Sequence, residues 1–363
     1  MAQFQLGGQA LIEGVMMRGP THVGAAVRRA DGTIQTRVEP FDSILKKRPY
    51  LNVFLLRGIF ALVEMMRLGT DYLRWSSELA LEDEDARQRQ GHQSDVPAEE
   101  TLRVVAAAPL DGAPIAAPDG TASVPVARDK KVTPLMGLLF VLTAIMSFGF
   151  GALCFVVVPN FVAHFVFEPR IGNDSRPAII ALTLIEGAVK LLIFVAYVWV
   201  IGRRKQIRRL FAYHGAEHKV VYAVENSRPL TPAGARDFDT PHPRCGTGFA
   251  LLTVFVGIFC YSFLPWPDNH LLRVGLRLLM LPLVAGVSYE VLKATVNPRL
   301  SGFASLVITP GMWLQRLTTS QPDDDQLEVA CQAMKVLLDK EAPPQPMEAE
   351  GATAMVNEEE AVV

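Results

Sequence analysis

The residues best placed to do chemistry are His214, Glu217 and His218, in the run Tyr213-His214-Gly215-Ala216-Glu217-His218-Lys219. On a helix, His214 and His218 stand one turn apart on one face. At that spacing two imidazoles can grip one metal ion. The order His-x-x-Glu-His inverts the common zinc-protease motif, in which the Glu serves as general base toward a water. A second cluster follows at His242-Pro243-Arg244-Cys245-Gly246-Thr247. His214, His218, His242 and Cys245 together make a tetrahedral N/S shell suited to Zn²⁺, with Glu217 as the catalytic carboxylate. Three of the seven histidines and one of the four cysteines fall in this short stretch, which raises the value of a short motif. The same residues also read as a polar helix face beside a packed thiol, or as a structural zinc knot.

Further polar positions lie in apolar surroundings. Glu186 and Lys190 are one helical turn apart in a hydrophobic segment. Charges at membrane depth are costly and face a bundle interior or a cavity, so this is either a tolerated ion pair or a site. Glu290 sits near the end of the last long apolar segment, as a further ligand, a proton carrier or a structural partner. Arg273 and Arg277 are expected to snorkel toward the membrane surface. Glu13, in the glycine-punctuated N-terminal segment, and Arg244, beside Cys245, complete the set. The basic run Arg203, Arg204, Lys205, Arg208 and Arg209 could neutralise lipid phosphates or an anionic substrate.

The elements that must position these groups are mainly helical and membrane-spanning. Half of the 363 residues are hydrophobic, and the charged 20% crowd into residues 27–48, 82–100, 203–209 and 323–360. Long stretches nearly free of charge are what a bilayer imposes. A net charge of −2 argues against a nucleic-acid partner. The sequence predicts a polytopic, mainly α membrane protein with about four transmembrane helices, a small N-terminal β-hairpin region and C-terminal amphipathic helices. Residues 1–50 form the β-rich region, with Leu11 to Met17 a strand and Asp31-Gly32 a hairpin turn. Residues 51–81 form a membrane-associated helix, too charged at Arg57, Glu64 and Arg67 for a simple span. Residues 82–131 are a disordered linker. The membrane domain covers 132–300, with spans at Val132 to Val158, Ala178 to Gly202, Gly248 to Leu264 and Leu271 to Leu292, and a His/Cys loop at 203–247. A helical region at 301–342 and a disordered acidic tail at 343–363 follow. By the positive-inside rule, both termini and the 203–247 loop are cytoplasmic, and the connections near 165 and 268 face outward. No N-terminal secretory signal is visible.

Three blocks carry a resemblance: Gly7-Gly8-Gln9-Ala10-Leu11-Ile12-Glu13-Gly14-Val15-Met16-Met17-Arg18, His214-Gly215-Ala216-Glu217-His218-Lys219, and His242-Pro243-Arg244-Cys245-Gly246-Thr247. Trp313-Leu314-Gln315, Leu317-Thr318-Thr319 and the helix from Pro322 to Ala330 extend it. The chain resembles the YqhQ-like family of bacterial membrane proteins, described as predicted metal-dependent enzymes, over all but the 82–131 stretch and the tail. The resemblance implies a bacterial cytoplasmic membrane and a metal-dependent activity. Two functions stay open. One is a membrane-embedded zinc hydrolase, with His214, His218 and either His242 or Cys245 as ligands and a fourth position open, acting at the cytoplasmic face on a lipid, lipid-linked or membrane-peptide substrate. The other is a non-enzymatic assembly or scaffold factor with a structural metal, whose partners would be membrane lipids and other membrane proteins. Transport along Glu186, Lys190 and Glu290 is weaker, because four spans with no visible repeat do not fit a transporter.

Overall fold

Apolar side chains alternate along residues 11–27 and give the N-terminal sheet two usable faces. Val15, Met17 and Ala26 point to one side, and Leu11, Met16, Val23, Ala25 and Val27 to the other, as the two-residue period of a strand requires. The computed structural model describes residues 6–94, 134–295 and 301–341. Strands β1 (Gly7–Leu11), β2 (Gly14–Arg18), β3 (His22–Arg28) and β4 (Ile34–Pro40) form an antiparallel meander in that order. The hairpin at Asp31-Gly32 joins β3 to β4, with Arg28 paired to Ile34 and Gly32 at φ +86°. The segment expected as one strand from Leu11 to Met17 is instead broken by a turn at Ile12-Glu13, where Glu13 takes φ 53°. Tertiary bonds from Arg209 and Tyr213 hold the Glu13 carboxylate and with it this unusual backbone.

The helices that follow are α1 (Leu56–Ser94), α2 (residues 134–171), α3 (Arg176–Ile201), α4 (Lys205–Glu225), α5 (Thr247–Ser262), α6 (His270–Ala294), α7 (Ser301–Thr318) and α8 (Asp324–Leu338). Tyr72 and Leu79 of α1 cover one face of the sheet. Tyr213, Ala216 and Val220 of α4, with Leu327, Ala330 and Met334 of α8, cover the other. The sheet is thus the middle of three layers, and α4, the helix of the His-x-x-Glu-His run, is one of its covers. Residues 82–94, expected in the linker, continue α1. Asp83 accepts from Arg29 Nε (2.8 Å) and from the Ala30 amide (2.7 Å), and Glu82 pairs with Arg29. Acidic residues that read as a solvated linker tie the helix to the hairpin. The rest of the expected linker, 95–131, and the expected tail, 343–363, lie outside the described residues.

Among the described residues, three helices are long and apolar enough to cross a membrane: Ile145–Ile171 within α2, then α3 and α6. The fourth expected span, Gly248 to Leu264, is the shorter apolar helix α5. The 16 residues of α5 are apolar but reach only about 24 Å at 1.5 Å per residue, short of a hydrocarbon core of about 30 Å. The span expected to end at Val158 continues as helix to Ile171 through two widened π turns, Leu153–Val157 and Ala163–Phe167. Each ends just ahead of a proline step, Val158-Pro159 and Glu168-Pro169, where the missing amide would otherwise interrupt the ladder.

Arg273 and Arg277 do not snorkel. They are 0% and 1% exposed, because carboxylates on neighbouring helices meet them. Arg277 forks onto Glu186, with Nη2 to Oε2 at 2.6 Å, and Lys190 Nζ reaches the same carboxylate at 2.9 Å. Arg273 lies over the Trp266 ring, 3.4 Å from Glu168. Glu186 and Lys190 therefore form a buried interhelical cluster with Arg277. Glu290 is also taken: Arg57 Nε donates to it at 2.6 Å, docking the start of α1 on α6.

Two close backbone approaches bring α7 to the histidine helix. A Cβ on Gly311 would lie 2.9 Å from Gly248 Cα, so α5 and α7 cross nearly backbone to backbone, the use small residues have at membrane-helix crossings. A Cβ on Gly215 would lie 2.3 Å from Ser320 O. The C-terminal end of α7 is thereby pressed against α4 beside His214.

Candidate metal centre

Three side chains from two elements converge on one point. The helix α4 presents His214 and His218, the segment ahead of α5 presents Cys245, and one ligand atom from each lies within 4.8 Å of the other two. His214 Nε2 is 3.2 Å from Cys245 Sγ. Bond lengths of about 2.0–2.1 Å to nitrogen and 2.3 Å to sulfur put tetrahedral N and S donors roughly 3.5 Å apart, so the spacing suits one cation.

The ring nitrogens are oriented as metal ligands require. His214 Nδ1 donates to the Thr318 carbonyl at 2.9 Å, and His218 Nδ1 donates to the Thr240 carbonyl. Each bond fixes the tautomer with the proton on Nδ1 and turns the Nε2 lone pair inward. His218 is 1% exposed, and its Nε2 is buried with no hydrogen-bond partner among the described residues. A buried acceptor left unpaired is costly, and a cation at this point would satisfy it. Cys245 Sγ accepts from the Thr247 amide at 3.5 Å and contacts Thr247 Oγ1 at 3.2 Å, which fixes the thiol's direction.

Glu217 stands on the imidazole side of the site. Its Oε2 is 3.5 Å from His218 Nε2 and 4.0 Å from His214 Nε2. Burial pushes its pKa up to about 7, against the pull of His214 and of a hydrogen bond from the Gly8 amide. The N-terminal sheet therefore reaches the histidines. A Cβ on Gly8 would lie 2.5 Å from Met16 O and 2.8 Å from Glu217 Cγ. Gly8→Ala should cost about 1–3 kcal/mol through overpacking, seen as a lowered denaturation midpoint of the purified protein. An unchanged midpoint would mean that β1 does not press on Glu217.

His242, expected as a ligand, lies beside the converging group and not in it. Its Nδ1 accepts from the Arg244 amide at 3.3 Å, and its Nε2 faces Glu225 Oε1 at 3.5 Å. Gln315 clamps its backbone, accepting from its amide at 2.7 Å and donating to its carbonyl at 3.0 Å. Burial, with His218 nearby, lowers its pKa to about 4, so it is neutral at pH 7. Arg244 pairs with Glu225 and holds the outside of this loop. Glu13 meets Arg209 and Tyr213 and anchors the sheet to α4. Glu186, Lys190 and Glu290 stay with the partners described above. Sequence reasoning missed Gly8, Thr240, Gln315 and Thr318. The polar spacing of Gln315, Thr318 and Thr319 at the end of an apolar helix was a usable signal for the last elements, whereas the Thr240 carbonyl, a main-chain group, left none.

The fold and the site together define a helical protein with three membrane-length helices and a His/His/Cys group lodged under a small α/β layer. The chain belongs to the family described as "Protein of unknown function (DUF1385)", whose model matches residues 53–340. It is 34% identical over 342 residues to "Uncharacterized protein YqhQ" of Bacillus subtilis (strain 168), covering 93% of each chain. No solved structure matches it.

Proposed function

We propose that this protein is a membrane-embedded, metal-dependent hydrolase that acts at the cytoplasmic face on a lipid, lipid-linked or membrane-peptide substrate. The observation that carries this reading is the inward-facing pair of Nε2 lone pairs and the Cys245 sulfur, with the Glu217 carboxylate alongside. His214, His218 and Cys245 would hold the cation, and zinc suits an N/N/S donor set. Three protein ligands leave a coordination position open, as catalytic sites do. A cation there supplies Lewis-acid polarisation of an ester or amide oxygen. Glu217 takes the proton of the attacking water as its oxygen bonds to the acyl carbon or phosphorus. It then returns that proton to the leaving group as the scissile bond breaks. Thr318 and Thr240 keep both imidazoles in the required tautomer throughout.

The topology that suits this role has both termini and the metal centre on the cytoplasmic side of a bacterial inner membrane, with α5 as a short fourth crossing. The exposed Arg203 and Arg204 just beyond α3, with Lys205 and Arg208 in the first turn of α4, support that orientation. So does the meeting of α2 with the start of α6 through Glu168 and Arg273, which puts those two ends on one side. One observation favours the scaffold alternative: Glu217 and His218 are 4% and 1% exposed, as in a closed structural site. The substitution Glu217→Gln separates the two. Lost turnover with retained metal supports the hydrolase, and unimpaired function in that variant supports the scaffold.

A further inference from the structure

An apolar cavity of about 500 Å³ opens between α2, α3, α5 and α6, away from the metal centre. Its walls include Gly151 and Phe155 of α2, Gly187 and Phe194 of α3, and Ala250 and Gly257 of α5. Its volume falls in the range of ligand pockets, roughly 300–1,000 Å³. The cationic side chain on its wall, Lys190, is spoken for: the ammonium sits on Glu186 at 2.9 Å and over the Tyr261 ring at 4.8 Å, so its methylene stem faces the cavity.

Position along α5 gives the cavity its meaning. Cys245 lies just ahead of that helix, and the lining on it runs from Ala250 to Tyr261. At 1.5 Å per residue the lining begins roughly 8 Å beyond Cys245 and extends about 16 Å further. That length is close to half of a hydrocarbon core of about 30 Å, which is the depth of one leaflet. Among spans in a bilayer, hydrocarbon fills such a space. A chain seated there places its head group at the height of Cys245 and His214, next to the exposed cations that close α3.

Building on the hydrolase reading, we propose that the substrate is an anionic phospholipid of the cytoplasmic leaflet, held by one acyl chain in this groove while its head group enters the His214/His218/Cys245 site. The test uses the full chain in vesicles of phosphatidylethanolamine and phosphatidylglycerol, with a trace of phosphatidylglycerol carrying a diazirine midway along one acyl chain. After irradiation, peptide mapping should find adducts concentrated on Gly151 to Phe155 and Ala250 to Gly257. They should exceed by several-fold those on outward-facing Leu192, which is 69% exposed. A Cβ on Gly151 meets nothing within 4 Å, so Gly151→Phe enters the groove from an unobstructed Cβ and should lower the groove adducts several-fold while leaving those at Leu192 unchanged. Gly151→Leu serves as a smaller plug. Adducts spread evenly over lipid-facing positions in the unaltered chain, or groove adducts indifferent to both plugs, would overturn the proposal. The same labelling in Glu217→Gln should be unchanged, so chain binding and hydrolysis fail independently.

Discussion

Glu217→Gln should leave the metal content of the purified protein unchanged and lower turnover by about 10²–10⁴, the range that a positioned acid–base group contributes. The substitution is nearly isosteric, and the Gln oxygen still accepts from the Gly8 amide that now meets Glu217. Packing of β1 on α4 is therefore kept, and what disappears is the ability to carry a proton beside the imidazoles. Complementation of a deletion strain, read with metal analysis on the same preparation, measures both halves. Full complementation would remove the hydrolase reading and leave a structural centre.

His218→Ala should do the reverse and release the metal. His218 supplies a lone pair whose tautomer is fixed by the Thr240 carbonyl, and its Nε2 has no hydrogen-bond partner among the described residues. Loss of an outer-shell partner typically weakens a metal site about 10–100-fold, and loss of the ligand itself should exceed that. His242→Ala is the informative control. Its nitrogens face the Arg244 amide and Glu225, so the metal should remain near its original stoichiometry even if the loop is loosened. Equal metal loss in both variants would mean that His242 swings into the site, restoring the four-ligand set that the sequence alone implied.

Much of the architecture could be read from the chain because the bilayer and the strand impose periodicities that composition carries. Long charge-free runs gave the spans, and Asp31-Gly32 gave the β3–β4 turn. The order His-x-x-Glu-His gave one helix face. What stayed hidden depends on partners far away in sequence. The helix α1 runs past residue 81 because Arg29 and Ala30 hold Asp83. Arg277 is buried, not snorkelled, because Glu186 waits on another helix. The apolar segment expected from Gly248 to Leu264 forms a helix of 16 residues, with Cys245 just ahead of it and the Pro265-Trp266-Pro267 turn just beyond it. His242 stands outside the His214/His218/Cys245 cluster, with the amide of Arg244 two residues on bonded to its Nδ1, a detail of loop geometry that residue type does not encode. The role of Gly8 became visible only once β1 was laid on Glu217.

Zinc absorption spectroscopy on the unaltered protein, purified in mild detergent, tests the central claim most directly. Two imidazole nitrogens and one cysteine sulfur around a single ion predict about one zinc per chain, with one sulfur at about 2.3 Å and nitrogen or oxygen at about 2.0–2.1 Å in the first shell. A protein that carries no metal, or one whose shell lacks sulfur, would contradict the convergence of His214, His218 and Cys245 on a cation.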